Sequence, residues 1–165
     1  MSRREQIEMA ADELAAFLQL QRTVICATLG KGGWPHLMPL WYVLRVAPEE
    51  EVEIWAWTYA ASQKTRNLER DPRATLLVET GELYQELRGV MLECDVTIHR
   101  ELERVAALGR EIFARYAAPA GEDPVSELDV RVTEMVTRQA PKRVALQFRE
   151  RRRVSWDHRK LGGIY

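Results

Sequence analysis

The sequence predicts a mainly β, α+β protein: an antiparallel barrel, closed or nearly closed, with helices outside it. Three observations carry that expectation. Strand-like runs follow one another from Thr23 to Arg100 around turns marked by Gly and Pro. Helical periodicity is confined to short stretches around them. No internal repeat, low-complexity segment or heptad array points to another architecture. At 165 residues the chain is expected to form one domain spanning 1–165, long enough to bury a core and small enough to benefit from pairing with a second chain.

From Ala10 to Leu20, Leu14, Phe17 and Leu18 recur at helical spacing, with Asp12 and Glu13 where the helix dipole favours acids. "TVICATL" (Thr23 to Leu29) is β-branched and is followed by the turn "GKGGWP". "HLMPLWYVLRV" then reads as one further run that completes a hairpin. After the turn "APEEE", "VEIWAWT" continues the meander, with Val52, Ile54, Ala56 and Thr58 on one face and Glu53, Trp55 and Trp57 on the other. Ser62 to Arg70 switches to helical period, with Ser62 as N-cap, and stops at Asp71 because the residue before Pro72 is pushed out of the helical region. "RATLLVE" and "ELRGVMLECDVTIHR" are two strands around "TGELYQ", the second bending at Gly89 or long enough to cross a barrel wall. Glu101 to Ala117 is helical, with Leu102, Val105, Leu108, Ile112 and Tyr116 on one stripe. "APAGEDP" breaks it, and a second helix runs from about Val125 to Arg138. "RVALQFRE" and "RVSWDH" are two closing strands before the tail "KLGGIY".

Composition removes several function classes. A net charge of −1 gives no global attraction to nucleic acid, and the run "RERRR" from Arg149 to Arg153 reads as a solvated strand face. Cys26 and Cys94 lie far apart without CxxC spacing, as expected for buried free thiols in a reducing cytoplasm. No apolar run is long enough to cross a bilayer and no apolar segment follows the charged N-terminus, so a cytoplasmic, soluble protein is expected. His36, His99 and His158 are isolated, so no metal site is expected, and no Gly-rich nucleotide loop or nucleophile elbow is present.

One cluster remains. A strand ending at Thr58 and a helix starting near Ser62 leave free N–H groups at a helix N-terminus, where anions bind. Thr58 and Ser62 add hydroxyls and Lys64 adds a cation, while Asn67 and Leu68 share its helix face. Spacing alone does not choose between an anion cradle and an exposed lysine beside an ordinary cap.

The run "TYAASQKTRNLERDPRATLLVE" followed by "YQELRGV" resembles the pyridoxamine 5'-phosphate oxidase-like split β-barrel family, and the likeness extends from the N-terminal helix to "SWDHRKLGG". The resemblance implies a six- or seven-stranded antiparallel split β-barrel with flanking helices. It also implies a homodimer with two cofactor sites at the interface, holding FMN or, in a related branch, coenzyme F420. Thr58, Ser62, Gln63 and Lys64 match the phosphate motif, with Asn67 on the adjoining turn. His36, Leu37, Met38 and Pro39 match the strand lining the flavin or deazaflavin ring, and Trp57 stands beside the ring in relatives. Trp55 and Trp57 are alternatively packing residues on the outer face or at the dimer contact. Trp156 and Lys160 are expected to reach a cofactor or substrate edge from the partner subunit.

Departures from the family pattern are informative. True pyridoxamine phosphate oxidases resemble "SRK" where this chain has Ser62-Gln63-Lys64, so a bidentate phosphate-gripping arginine is replaced by a neutral amide. Of the basic pair expected on the strand before the turn, only Arg45 has an approximate counterpart, and the C-terminal substrate motif is missing from "SWDHRKLGGIY". The expected activity is therefore an FMN- or F420-dependent oxidoreductase (a flavoprotein, if FMN is used) acting on an unidentified small molecule. The alternative is a non-catalytic flavin-binding or sequestering protein of the same fold. Tyr42 or Tyr59 could supply a proton, but each is more often a packing tyrosine, and neither is counted among the site residues.

Overall fold

The computed structural model describes residues 2–46 and 52–162; the expected turn "APEEE" at 47–51 and the end of the tail at 163–165 lie outside the described residues. Seven strands form: β1 (Val24–Leu29), β2 (Pro35–Leu40), β3 (Tyr42–Val46), β4 (Val52–Tyr59), β5 (Arg73–Thr80), β6 (Arg88–His99) and β7 (Arg143–Asp157). They pair antiparallel throughout, in the order β2-β1-β5-β6-β7-β4-β3. Leu40 of one edge strand and Tyr42 of the other lie in the same buried cluster, together with Val24, Leu76, Leu92, Ile54 and Leu146. The sheet is therefore curled around its inner face as a split β-barrel.

The helices are α1 (Arg3–Ile7), α2 (Ala11–Leu20), α3 (Gln63–Arg70), α4 (Leu102–Ala117) and α5 (Val130–Gln139). Phe17, Leu14 and Leu18 of α2 and Leu68 of α3 join the barrel core. Each fully buried side chain of this size contributes about 1.5–3 kcal/mol. A second apolar layer lies on the outer face, where Val105, Leu108 and Ile112 of α4 and Val136 of α5 cover Trp55, Trp57, Val43 and Ala145. The alternation expected for β4 is thus present, with both faces buried. Leu102 falls outside the α4 stripe and is exposed.

Three expectations are corrected, and one element is added. "HLMPLWYVLRV" is two strands on opposite edges of the sheet, not one limb of a meander. At Trp41 the chain leaves the ladder: the Tyr42 N–H donates to the Tyr116 hydroxyl at 3.0 Å, and the Trp41 indole stacks on Tyr116 at 4.4 Å. The two closing strands are one fifteen-residue strand, because Arg151 and Arg152 pair across it with Asp95 and Glu93 instead of breaking the ladder. The second late helix starts at Val130, where the Asp129 carboxylate accepts from Arg131 N–H at 2.7 Å, while Val125 N–H bonds to Ala114. A further short helix, α1, is nucleated by a capping box between Ser2 and Glu5.

Candidate functional site

β4 delivers Thr58 to the inner face near its end, and α3 starts five residues later, at Gln63. The Ser62 hydroxyl caps α3 by accepting from Thr65 N–H at 3.4 Å, and the Thr65 hydroxyl donates to Tyr59 O at 3.0 Å, which locks the strand-to-helix turn. This fixes the first turn of α3 against the end of the barrel. Lys64 Nζ donates to Thr58 Oγ1 at 3.1 Å, Gln63 Nε2 to Asn67 Oδ1 at 2.8 Å, and Asn67 Nδ2 to Thr28 Oγ1 on β1 at 3.0 Å. In register, Thr28 faces His36 on β2. The His36 Nδ1 atom is buried without a hydrogen-bond partner. The barrel thus ends in a polar group of Thr28, His36, Thr58, Lys64 and Asn67.

Lys64 is the unusual member. Its residue is only 7% exposed, and no carboxylate forms an ion pair with it among the described residues. Burial lowers its pKa, and the nearby Arg143 cation lowers it further. Cys26 lies close enough to interact, but burial pushes its thiol up to about 12, so it stays protonated and supplies no negative partner. Of the three ammonium donors, the Thr58 hydroxyl occupies one. A buried cation with spare donors at a helix N-terminus is suited to an anion.

The remaining predicted positions divide. On β2, Met38 shares the face of His36, whereas Leu37 and Pro39 point to the outer side; Leu37 and Met38 are about half exposed. On that outer side an open cleft of about 400 Å³ is bordered by Ala27, Leu29, Pro35 and Thr75, with Arg73 and Arg151 at its rim. Trp57 is not brought to the Lys64 group. It lies on the opposite face of β4, beneath α4, with its ring edge-on to Phe113 at 6.2 Å. Trp156 and Lys160 are also remote within one chain, since β7 carries Trp156 roughly 40 Å of extended strand beyond the partner of Thr58. Trp156 lies over Gly89, where a Cβ would come within 2.3 Å of its ring. Lys160 holds the N-terminal segment, donating to Glu8 O at 2.7 Å and Glu13 at 2.5 Å. Tyr42 is fully buried, donates to Leu18 O at 2.6 Å and has its pKa raised by burial to about 12.

Sequence reading missed Arg143. It opens β7 opposite Tyr59, and its guanidinium stands 3.5 Å from the centre of the Tyr59 ring and 4.5 Å from that of Trp57. No local pattern marks it, because only the pairing of strands 84 positions apart in the chain brings it beside Tyr59, on the face of β4 that carries Trp57. Among the described residues, no group of three His, Cys, Asp or Glu side chains gathers to hold a metal, and no helix is long and apolar enough to cross a membrane.

The profile of the family described as pyridoxamine 5'-phosphate oxidase matches residues 10–148. A conserved hypothetical protein from Mycobacterium tuberculosis is 38% identical with a TM-score of 0.82, the match covering 100% of this chain and 95% of that one. An F420 reductase is 17% identical with a TM-score of 0.57, covering 82% of this chain and 93% of that one. The heme storage protein HutZ from Vibrio cholerae is 13% identical with a TM-score of 0.63, covering 86% and 90%, respectively. At such identities the last two share the fold. No curated protein matches the chain.

Proposed function

The chain belongs to the pyridoxamine 5'-phosphate oxidase family, and from that premise we propose that it is an oxidoreductase that holds FMN or coenzyme F420 by its phosphate and is not a vitamin B6 oxidase. The observation that carries the reading is Lys64, a buried ammonium at the start of α3 with a hydroxyl partner and no carboxylate among the described residues. Lys64 and the hydroxyls of Thr58 and Ser62 bind the phosphate. Asn67, held by Gln63 and Thr28, keeps α3 seated on the barrel. The strand from His36 to Pro39 borders the ring, and the unpartnered His36 Nδ1 offers it a polar contact. A second copy of the chain covers the exposed apolar side of β2 and the adjoining cleft, which excludes water from the ring. Trp156 and Lys160 reach the site from that copy.

When bound, the flavin or deazaflavin supplies the hydride chemistry itself, so the protein contributes position, charge and dryness. Tyr42 takes no part in proton transfer, because its hydroxyl is committed to Leu18 O inside the core. Titrating the purified protein with FMN and with coenzyme F420 by fluorescence tests the reading. Saturable binding of one of them is expected, and absence of binding to both refutes it. A binding or sequestering role without turnover uses the same cradle and draws support from the sealed Tyr42. Reduction of the bound cofactor followed by reoxidation with a substrate panel separates the enzyme from the carrier.

A further inference from the structure

One stripe of α2, made of Ala11, Leu14, Ala15 and Leu18 at the i, i+3, i+4, i+7 spacing of a helix face, borders a pocket of about 160 Å³. Two of these four positions are alanines, whose methyls leave room that leucines would fill. The opposite wall is Ile54 of β4, Leu92 of β6 and Phe148 of β7, all members of the barrel core. Protein interiors seldom leave space for more than a water molecule. A dry apolar cavity of about 150 Å³ is large enough to hold benzene.

A β-bulge builds the mouth. Glu93 pairs with Arg152 and Cys94 with Glu150, so Arg151 is an extra residue in β7. Before it Val144, Leu146 and Phe148 are buried in the barrel core, and after it Ser155 and Asp157 are the buried positions, so the inward face passes from even to odd numbers. That change brings Glu150 and Arg153 to the same side, where they form an ion pair at 2.5 Å on the border of the pocket. The two charges neutralise each other. Cys94, on the wall, keeps its proton, because burial and then the Glu150 charge push its thiol up to about 12. The lining therefore carries no unbalanced charge, and a charged ligand would lose its hydration there without gaining a partner.

We propose that the barrel interior beneath α2 is a binding site for a small, neutral, apolar molecule of about the size of benzene. The site is separate from the Lys64 group: Ile54 and Phe148 lie four residues along their strands from Thr58 and Val144, about 13 Å away. It stands whether or not Lys64 holds a phosphate. Its occupant packs α2 against the strands and so stabilises the folded chain.

The test titrates the purified protein with fluorobenzene, followed by fluorine NMR, and with benzoate, which has a similar ring and a charge. Saturable binding of fluorobenzene is expected, with benzoate weaker by about tenfold or more. Methyl spectra of the wild-type protein locate the probe. Shifts are expected at Leu14, Leu18, Ile54 and Leu92, and not at Val125, Leu128 and Val132, which border another apolar pocket beside Trp41 and Phe113. Ala15→Leu fills the space and is expected to weaken fluorobenzene by about tenfold or more, with the probe-free protein as stable as wild type. Ala11→Leu, at an exposed position of the same stripe, repeats the measurement without disturbing the core. Wild-type protein without saturable binding, shifts confined to the other pocket, benzoate bound as tightly as fluorobenzene, or an affinity unchanged in both variants overturns the proposal.

Discussion

Lys64 makes opposite demands on stability and binding, and Lys64→Met separates them. Methionine keeps the unbranched stem and removes the charge. Replacing even a paired buried charge by apolar groups of similar volume is often neutral or stabilises folded proteins by about 1–4 kcal/mol. Here the ammonium has no carboxylate among the described residues and is repelled by Arg143. Against that gain, Thr58 Oγ1 loses its donor, at a cost of about 1 kcal/mol. The net expectation is a cofactor-free protein stabilised by about 1 kcal/mol, a rise in Tm of about 2–4 °C for a domain of this size. Phosphate affinity falls meanwhile by about 1.5–3 kcal/mol, or about 10- to 150-fold.

A pH profile adds an independent sign. The folded pKa of Lys64 lies below its unfolded value of about 10.4. Between the two, the unfolded chain binds more protons, so wild-type stability carries a component that rises with pH. That component disappears in Lys64→Met. Thermal and urea denaturation without cofactor, together with FMN and F420 titrations, read all three quantities. A variant that is less stable than wild type and binds cofactor equally well would falsify the argument and return Lys64 to a structural role.

Two further predictions concern the frame that holds the site. Arg115 is 3% exposed and donates to Tyr42 O and to the carbonyls of Leu18, Gln19 and Gln21, closing the end of α2. Arg115→Met leaves several of these acceptors unsatisfied and is expected to cost about 3 kcal/mol or more by urea denaturation; a cost below about 1 kcal/mol would show the carbonyls to be hydrated instead. Asp157 is held below the usual carboxylate range by hydrogen bonds from Arg159 and by the Arg88 charge. Its contribution is complete above the unfolded pKa of about 3.9 and is lost as pH falls through the lower folded value. Asp157→Asn should therefore lower stability at neutral pH and flatten the acid limb of the stability profile, and an acid limb as steep as that of wild type would locate the acid sensitivity elsewhere.

Elements whose formation depends on near neighbours were legible in the sequence. Ser62 as a cap, the stop before Pro72, the alternation of β4 and the stripe of Val105, Leu108 and Ile112 are set within a few residues. The errors share the opposite property. Trp41 reads as strand, and the chain departs there because the Tyr116 hydroxyl, 74 residues from Tyr42, captures the backbone. Arg151 and Arg152 fall between the two expected closing strands, and a single strand runs through them because Asp95 and Glu93 of β6 pair with both. Periodicity contains neither partner.

The candidate site divides along the same line. The α3 motif is contiguous, so Thr58, Ser62, Gln63, Lys64 and Asn67 could be found from spacing and resemblance, and the structure gathers them at one end of the barrel. What spacing could not supply is the charge balance around Lys64. Whether a lysine in such a motif is exposed or buried, and paired or alone, depends on Thr28 from β1, Cys26 beneath it and Arg143 from β7. Gln63 read by itself subtracts a cation from the turn. Arg143, placed by the pairing of β4 with β7, lies instead against Tyr59 and Trp57 on the other face of β4. At the start of α3 the inner face is therefore left with Lys64, whose burial is set by the strands packed around it, and the fitness of that turn for an anion depends on those strands as much as on the motif.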